Sequence, residues 1–294
     1  MKILVTGSGG QVGKSIINAI CKKELYIGRI EEMSKKLDII SLDKGELDIC
    51  NELQVKKIIE IIHPDIVINC AAYTDVDGCE KNIEKAFKVN AEGAKNLAKG
   101  CNNISAKLIH MSTDYVFDGE KQTPYSETDE VNPINIYGKS KAKGELYVRE
   151  FCRKHFIIRS SWIYSSEGNN FVKNIIDIAK KQGCINVVND QVGSPTNAED
   201  LVYHLIRISM TNKYGIYHCT GKGQCSWYEF ASDIIKTLGI NCKVNPCTSQ
   251  EFPRLAKRPK YSVMDSLMLE DVVGNHMRHW KDALIWFLDN LNNL

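Results

Sequence analysis

No apolar run among the 294 residues approaches the ~20 that a membrane-spanning helix needs, which excludes a helical membrane protein. Charge of one sign is lacking too: the formal net charge is +2 and both signs are interspersed, so neither nucleic acid nor an anionic membrane is expected as a partner. Short basic runs such as Lys35-Lys36 and Lys180-Lys181 read as solvated helix faces. No C-x-x-C occurs among the eleven cysteines, whose odd number and scatter from Cys21 to Cys247 fit neither a disulfide framework nor a zinc site. They read as small, buried apolar residues of a reduced, cytoplasmic protein, and no metal is expected. His276 and His279 have no carboxylate or thiolate pattern around them and read as structural. The stretch from Met1 to Thr6 runs straight into glycines and lacks the apolar core and cleavage site of a signal peptide. With 43% hydrophobic and 25% charged residues and no repeat, the chain has enough material for one large core or two unequal domains.

What is there begins with Lys2 to Val5, followed by Gly7, Gly10 and Gly13 and then by an apolar helical stripe, a strand, glycine turn and helix. Such a turn lets backbone amides at a helix start meet a pyrophosphate, with Gly7 and Gly10 where a Cβ would block approach. The spacing is G-x-x-G-x-x-G and not G-x-G-x-x-G. The charged stretch Glu24 to Leu37 reads as a surface insertion. Asp38 to Leu42 is a second strand ending at Asp43, whose carboxylate either accepts from ribose hydroxyls or closes a turn. Asp48 and Ile49 suit the edge and face of an adenine.

A helical stripe from Asn51 to Ile62 stops before Pro64, and Asp65 to Ala71 is a strand buried on both faces. It exits into Ala72-Tyr73-Thr74, where Ala71 and Ala72 would let a ligand approach the backbone. A helix is expected from about Cys79 to Cys101. The strand Ala106 to Met111 then delivers Ser112 to Asp118 to the sheet edge where doubly wound folds bind ligands. His155 to Arg159 is one more strand. Further on, the sequence predicts helices from Gly168 to Lys181, Ala198 to Met210, Ser226 to Leu238 and Trp280 to Leu291, a strand at Tyr214 to Cys219, and a polar loop at 189–195. Arg254, Lys257 and Arg258 cluster between prolines, either as a diphosphate clamp or as a basic surface loop.

The most chemically pointed spacing is Tyr137-x-x-x-Lys141, which puts a phenol and an ammonium one helical turn apart. At ~4 Å and an effective dielectric near 20 the attraction is on the order of 4 kcal/mol, an upper limit that would lower the Tyr137 pKa toward neutrality. Thr113, at a strand end, is a helix-cap residue or a hydroxyl for a substrate oxygen.

Taken in order, Thr6-Gly7-x-x-Gly10-Gln11-x-Gly13, Asn69-Cys70-Ala71-Ala72-x-Thr74, Ser112 to Gly119 and Tyr137-x-x-x-Lys141 resemble the extended short-chain dehydrogenases. Ser161 to Tyr164, Gly168 to Phe171, Asp190-Gln191-x-Gly193-x-Pro195-Thr196 and Ala256 to Pro259 narrow the resemblance to the dTDP-4-dehydrorhamnose reductase family, over the whole length. The resemblance implies an α/β fold, a Rossmann-type doubly wound parallel sheet over 1–161 with a smaller C-terminal α/β nucleotide-sugar domain over 162–294, some segments of which return to the first. It implies NADPH- or NADH-dependent reduction of the 4-keto group of dTDP-4-dehydro-L-rhamnose, by a monomer or homodimer. Thr113, Tyr137 and Lys141 are then catalytic, with Thr113 also touching the substrate and Tyr137 and Lys141 also the cofactor, Lys141 as its ribose anchor. Gly7, Gly10, Gln11, Val12, Asp43, Asp48, Ile49, Ala71, Ala72, Tyr73 and Thr74 would hold the cofactor, and Asp114, Trp162, Asn170 and Arg258 the sugar nucleotide.

Tyr73 stands where the family often has His. Asp43 favours NADH, with Arg29, Lys35 or Lys36 available to offset it. A nucleotide-sugar 4,6-dehydratase on this scaffold needs Glu where Tyr115 stands. An epimerase uses the same Tyr and Lys. A regulatory subunit resembling the methionine adenosyltransferase beta subunit is a reading of another class, against which the intact Thr113, Tyr137 and Lys141 argue.

Overall fold

Six parallel strands form the centre of the computed structural model, which describes residues 1–22, 24–25, 28–29 and 37–291. Across the sheet they run Gly215–His218, His155–Ser160, Lys107–Thr113, Ile66–Asn69, Lys2–Thr6 and Asp38–Leu42. Side chains alternate between two buried faces. Leu4, Val67, Leu108 and Ile157 pack on Val55, Ile59, Leu97 and Cys101 on one side. Ile3, Val5, Ile66, Ile68, Ile109 and Ile158 pack on Ile16, Leu201 and Leu205 on the other. From Lys2–Thr6 the chain passes outward to Asp38–Leu42, then crosses back to Ile66–Asn69, and this reversal opens a crevice at the carboxyl edge.

The expected strands are present within one or two residues, and Gly215–His218 carries the C-terminal half of the chain back into the main sheet. The helix expected from Cys79 to Cys101 is broken. Asn82 leaves helical geometry at φ −130° and ψ 60°, and Lys88–Glu92 forms a wide π-type turn between the helices Ile83–Phe87 and Gly93–Asn103. The wide turn presents Asn90, which accepts from the Tyr73 amide (2.8 Å) and donates to the Tyr73 carbonyl (3.1 Å) and to Ser140 Oγ (2.9 Å). Asn90→Ala is therefore expected to lower stability by about 3 kcal/mol, read from the urea midpoint, because it strands buried partners.

Within the 24–37 stretch, Glu24–Leu25 pairs antiparallel with Gly28–Arg29. The rest of it up to residue 36, and with it the expected offset by Arg29, Lys35 or Lys36, lies outside the described residues and side chains.

A second core gathers Tyr164, Val172, Ile176, Phe230, Ile234, Trp280, Leu284, Phe287 and Leu288. Over it lie the helices Phe171–Ala179, Trp227–Thr237 and Trp280–Asn290. A Ser226/Glu229 capping box starts the second of these, and His279 caps the third. Not foreseen were the parallel pair Cys184–Val188 and Lys243–Cys247 and the helix Leu267–Val273. The polar loop at 189–195 contains a two-residue strand, Val192–Gly193, paired with Cys225–Ser226. All eleven cysteines are free thiols, but only five are buried as expected; Cys50, Cys70, Cys242 and Cys247 are partly exposed and Cys21 and Cys184 exposed.

Candidate active site

The glycine turn sits at the crevice. Gly7 adopts φ +65°, and a Cβ there would fall 2.5 Å from the Ala71 nitrogen. A Cβ on Gly13 would fall 2.5 Å from the Gly7 carbonyl, so this glycine lets the helix Gln11–Lys22 close onto the turn. A cleft of 500 Å³ opens beside them, walled by Gly7, Gly10, Asp43, Asp48, Ile49, Ala71, Ala72 and Tyr73. Eight of the predicted cofactor residues thus meet on one wall. A dinucleotide fits this cradle: bare backbone at Gly7 and Gly10, an apolar floor at Ile49, and carboxylates at Asp43 and Asp48. Asp43 lines the cleft and closes a turn, its Oδ1 accepting from the Gly45 (2.7 Å) and Glu46 (3.2 Å) amides.

The other expected cofactor residues lie off this wall. Val12 packs against the core, Thr74 is exposed, and Gln11 Oε1 accepts from Ser165 Oγ and Asn170 Nδ2, both at 3.2 Å. Two cations that sequence reasoning missed do line it. Lys44 follows Asp43, and Lys85 lies 4.6 Å over the Tyr73 ring. Lys44 was legible from its place next to Asp43; Lys85 approaches only through the tertiary fold.

Thr113, Tyr137 and Lys141 come together at the end of the Lys107–Thr113 strand and the start of the helix Ile136–Phe151. Asn135 caps that helix through the Gly138 amide (2.8 Å), and Gly138 itself permits its approach, since a Cβ would meet the Tyr115 carbonyl at 2.0 Å. The Tyr137 phenol is hydrogen-bonded to Thr113. Thr113 Oγ1 also accepts from the Tyr115 amide (3.2 Å) and donates to Asp114 Oδ1 (2.9 Å), so it caps the turn Asp114–Val116 while facing the phenol.

The electrostatics differ from the sequence expectation. Burial raises the Tyr137 pKa above its usual value, with Thr113 lowering it and Asp114 raising it. The lowering expected from Lys141 is absent because the ammonium is turned to the Met111 carbonyl, 2.5 Å away. Lys141 is itself 2% exposed, and burial lowers its pKa to about 8. Asp114, also buried, is pushed up to about 6.

Beyond Tyr137 lies a second cavity of 470 Å³, lined by Tyr115, Phe171, Trp227, Phe252, Arg254 and Arg258 among others. Tyr115 meets Tyr137 edge-on with ring centroids 5.7 Å apart, while Cys70 on the cofactor-cleft wall senses the Lys141 charge. Tyr137 thus adjoins the second cavity through Tyr115, which lines it. Trp162, at φ 48°, does not line the cavity directly but stacks on Trp227 (3.5 Å, 8°). Asn170 caps the helix Phe171–Ala179 through the Lys173 amide and donates to the Ser165 carbonyl and to Gln11, so its polar atoms serve local structure.

Arg258 is held by Asp77, which the sequence did not single out. Asp77 Oδ1 takes the Arg258 Nη1 (2.9 Å) and the Ala256 amide (3.0 Å), while Asn135 Nδ2 donates to the Lys257 carbonyl (2.8 Å). The Asn135 bond ties the basic loop to the start of the Tyr137 helix, and the Asp77 bonds tie it to the helix Val76–Lys81. Asp77→Asn is expected to raise the KM for a sugar nucleotide about fivefold, or ~1 kcal/mol, with the KM for the cofactor unchanged. Steady-state kinetics varying each substrate in turn measure both.

Comparison with known proteins agrees with this geometry. The family model described as "RmlD substrate binding domain" matches residues 1–293. A dTDP-4-dehydrorhamnose reductase of Aggregatibacter actinomycetemcomitans is 39% identical, covering 96% of this chain and 97% of its own. Among solved structures, a dTDP-4-dehydrorhamnose reductase of Clostridium acetobutylicum is 45% identical with a TM-score of 0.93, covering 99% of this chain and all (100%) of its own. That of Bacillus anthracis, in complex with NADP, is 40% identical with a TM-score of 0.91, covering 98% and 99%. The chain belongs to the RmlD substrate binding domain family, the family of these dTDP-4-dehydrorhamnose reductases.

Proposed function

We propose that the protein reduces the 4-keto group of dTDP-4-dehydro-L-rhamnose to give dTDP-L-rhamnose, using NADPH or NADH. The observation that supports this reading is the grouping of Thr113, Tyr137 and Lys141 at the end of the Lys107–Thr113 strand, with Tyr137 against Tyr115 of the aromatic, arginine-lined cavity. On this reading 1–161 holds the cofactor and 162–294 the sugar nucleotide, apart from Gly215–His218 in the main sheet.

The cofactor, when bound, supplies a hydride to the sugar C4. The residues then have separable tasks. Thr113 holds the carbonyl oxygen by a hydrogen bond once its hydroxyl proton turns to it from Asp114 Oδ1. Tyr137 is protonated throughout the neutral range because burial raises its pKa, so it acts as the acid and gives its proton to the oxygen as negative charge develops there. Lys141 stabilises the phenolate left behind once its ammonium turns from the Met111 carbonyl toward the phenol oxygen. Asp43 accepts from ribose hydroxyls, while Lys44 beside it can neutralise a 2′-phosphate, which supports use of either cofactor. The Bacillus anthracis relative was solved with NADP.

Arg254 and Arg258 form the diphosphate side of the substrate cavity, and Asp114 and Trp162 order its walls. Cofactor oxidation assayed with both NADH and NADPH against a panel of dTDP-4-keto sugars tests the reading. It predicts highest turnover with the 4-dehydrorhamnose derivative; indifference to all of them would refute it.

A further inference from the structure

Behind the catalytic helix lies a buried polar cluster that the reaction does not directly use. Glu145 sits one helical turn from Lys141 and is 4% exposed. Its carboxylate takes Arg159 in a fork, Nη2 to Oε2 at 2.7 Å and Nε to Oε1 at 3.0 Å, and Ser112 Oγ donates to Oε1 at 2.5 Å. Arg159 in turn lies 5.0 Å from the Phe117 ring centre, with Nη1 facing His218 Nε2 at 3.4 Å.

Lys141 is buried, and no carboxylate among the described residues lies within ion-pair distance of it. The groups facing it from neighbouring elements are uncharged. Cys70, beyond the Ile66–Asn69 strand, has its thiol pushed up to about 12, and His110 on the Lys107–Thr113 strand is held well below its usual pKa, with its Nδ1 at 3.0 Å from Asn69 Nδ2. Tyr137 is neutral, and Asp114 and Cys79 act on Tyr137 and not on Lys141. Among the described residues Glu145, paired with Arg159, is thus the carboxylate that acts on the lysine.

We propose that Glu145 is a positioning residue for the catalytic lysine: its carboxylate, fixed by Arg159 and Ser112 one turn behind Lys141, is the counter-charge that keeps the buried ammonium protonated at neutral pH. This assignment rests on the reductase reading for its consequence in catalysis, but the charge coupling itself does not. The sign is set by electrostatics. A buried lysine is discharged as pH rises through its folded pKa, and removing an anion moves that point to lower pH. Burial has already brought Lys141 to about 8, so a further fall reaches the physiological range.

The test titrates Lys141 directly in the cofactor-free protein, using the 13Cε resonance identified by its loss in Lys141→Met. Glu145→Gln is expected to lower the titration midpoint by about one pH unit, and to move the alkaline limb of kcat by the same amount. Ser112→Ala keeps the charge and is expected to leave the midpoint within ~0.5 unit. If Glu145→Gln strands Arg159 and does not fold, the double variant Glu145→Gln with Arg159→Met is expected to give a smaller downward shift, because losing the Arg159 cation moves the lysine midpoint the other way. An unchanged midpoint in the Gln variants would overturn the proposal. So would an equal shift in Ser112→Ala, which would make packing and not charge the cause. Loss of turnover in every protein with these midpoints intact would instead count against the reductase reading.

Discussion

Tyr137→Phe is expected to lower kcat by about 10²–10⁴-fold while leaving NADPH affinity unchanged. The substitution removes one oxygen and keeps the ring, which packs edge-on against Tyr115. The lost hydroxyl is the group hydrogen-bonded to Thr113, and its partner keeps two other hydrogen bonds, to Asp114 and to the Tyr115 amide. Structural cost is therefore small and the loss falls on proton transfer. Cofactor titration by fluorescence, run beside steady-state kinetics, separates the two. A loss below about tenfold would mean that another acid serves, and Asp114, buried and pushed up to about 6, would be the first to examine.

Gly7→Val is expected to weaken cofactor binding by 100-fold or more, about 2.7 kcal/mol. Two effects add. A β-branched residue is strained at φ +65°, and any Cβ at this point meets the Ala71 nitrogen at 2.5 Å and the Ala71 Cα at 2.6 Å. Both are backbone atoms at the end of a central strand, so the turn must move, and with it the amides that face the cleft. Gly9 gives the contrast. A Cβ there meets nothing within 4 Å, so Gly9→Ala is expected to leave stability within ~0.5 kcal/mol. NADPH titration and thermal melts of the two variants measure the difference.

The sheet was legible because its strands are short apolar runs followed by glycine, small or polar turns, a signal local enough to survive without the fold. The cofactor wall followed from the same property: Gly7, Asp43, Ala71 and Ala72 all lie at the ends of such runs. Features set by distant partners were not legible. The helical pattern continues through Lys88–Glu92, and the turn widens there because Asn90 bonds Tyr73 and Ser140, 17 and 50 residues away. Asp77 reads as an ordinary helix-start carboxylate until Arg258, 181 residues on, arrives beside it. The strands Cys184–Val188 and Lys243–Cys247 are half exposed and pair only with each other, so neither shows the continuous apolar run of the central sheet.

Tyr137 and Lys141 show the limit most clearly. Spacing placed them on one helix face, but their charge states depend on burial and on where the ammonium points. The phenol goes up and the ammonium comes down, opposite to the simplest pairwise expectation. That outcome suits a proton donor better than a proton acceptor.

The most direct measurement is a single-turnover reaction of the purified protein with NADPH carrying deuterium at the nicotinamide C4 and dTDP-4-dehydro-L-rhamnose, followed by mass and NMR analysis of the sugar. Stoichiometric NADP formation with deuterium at the sugar C4 is the predicted result. A sugar changed without cofactor oxidation, or left unchanged with bound cofactor, would contradict it.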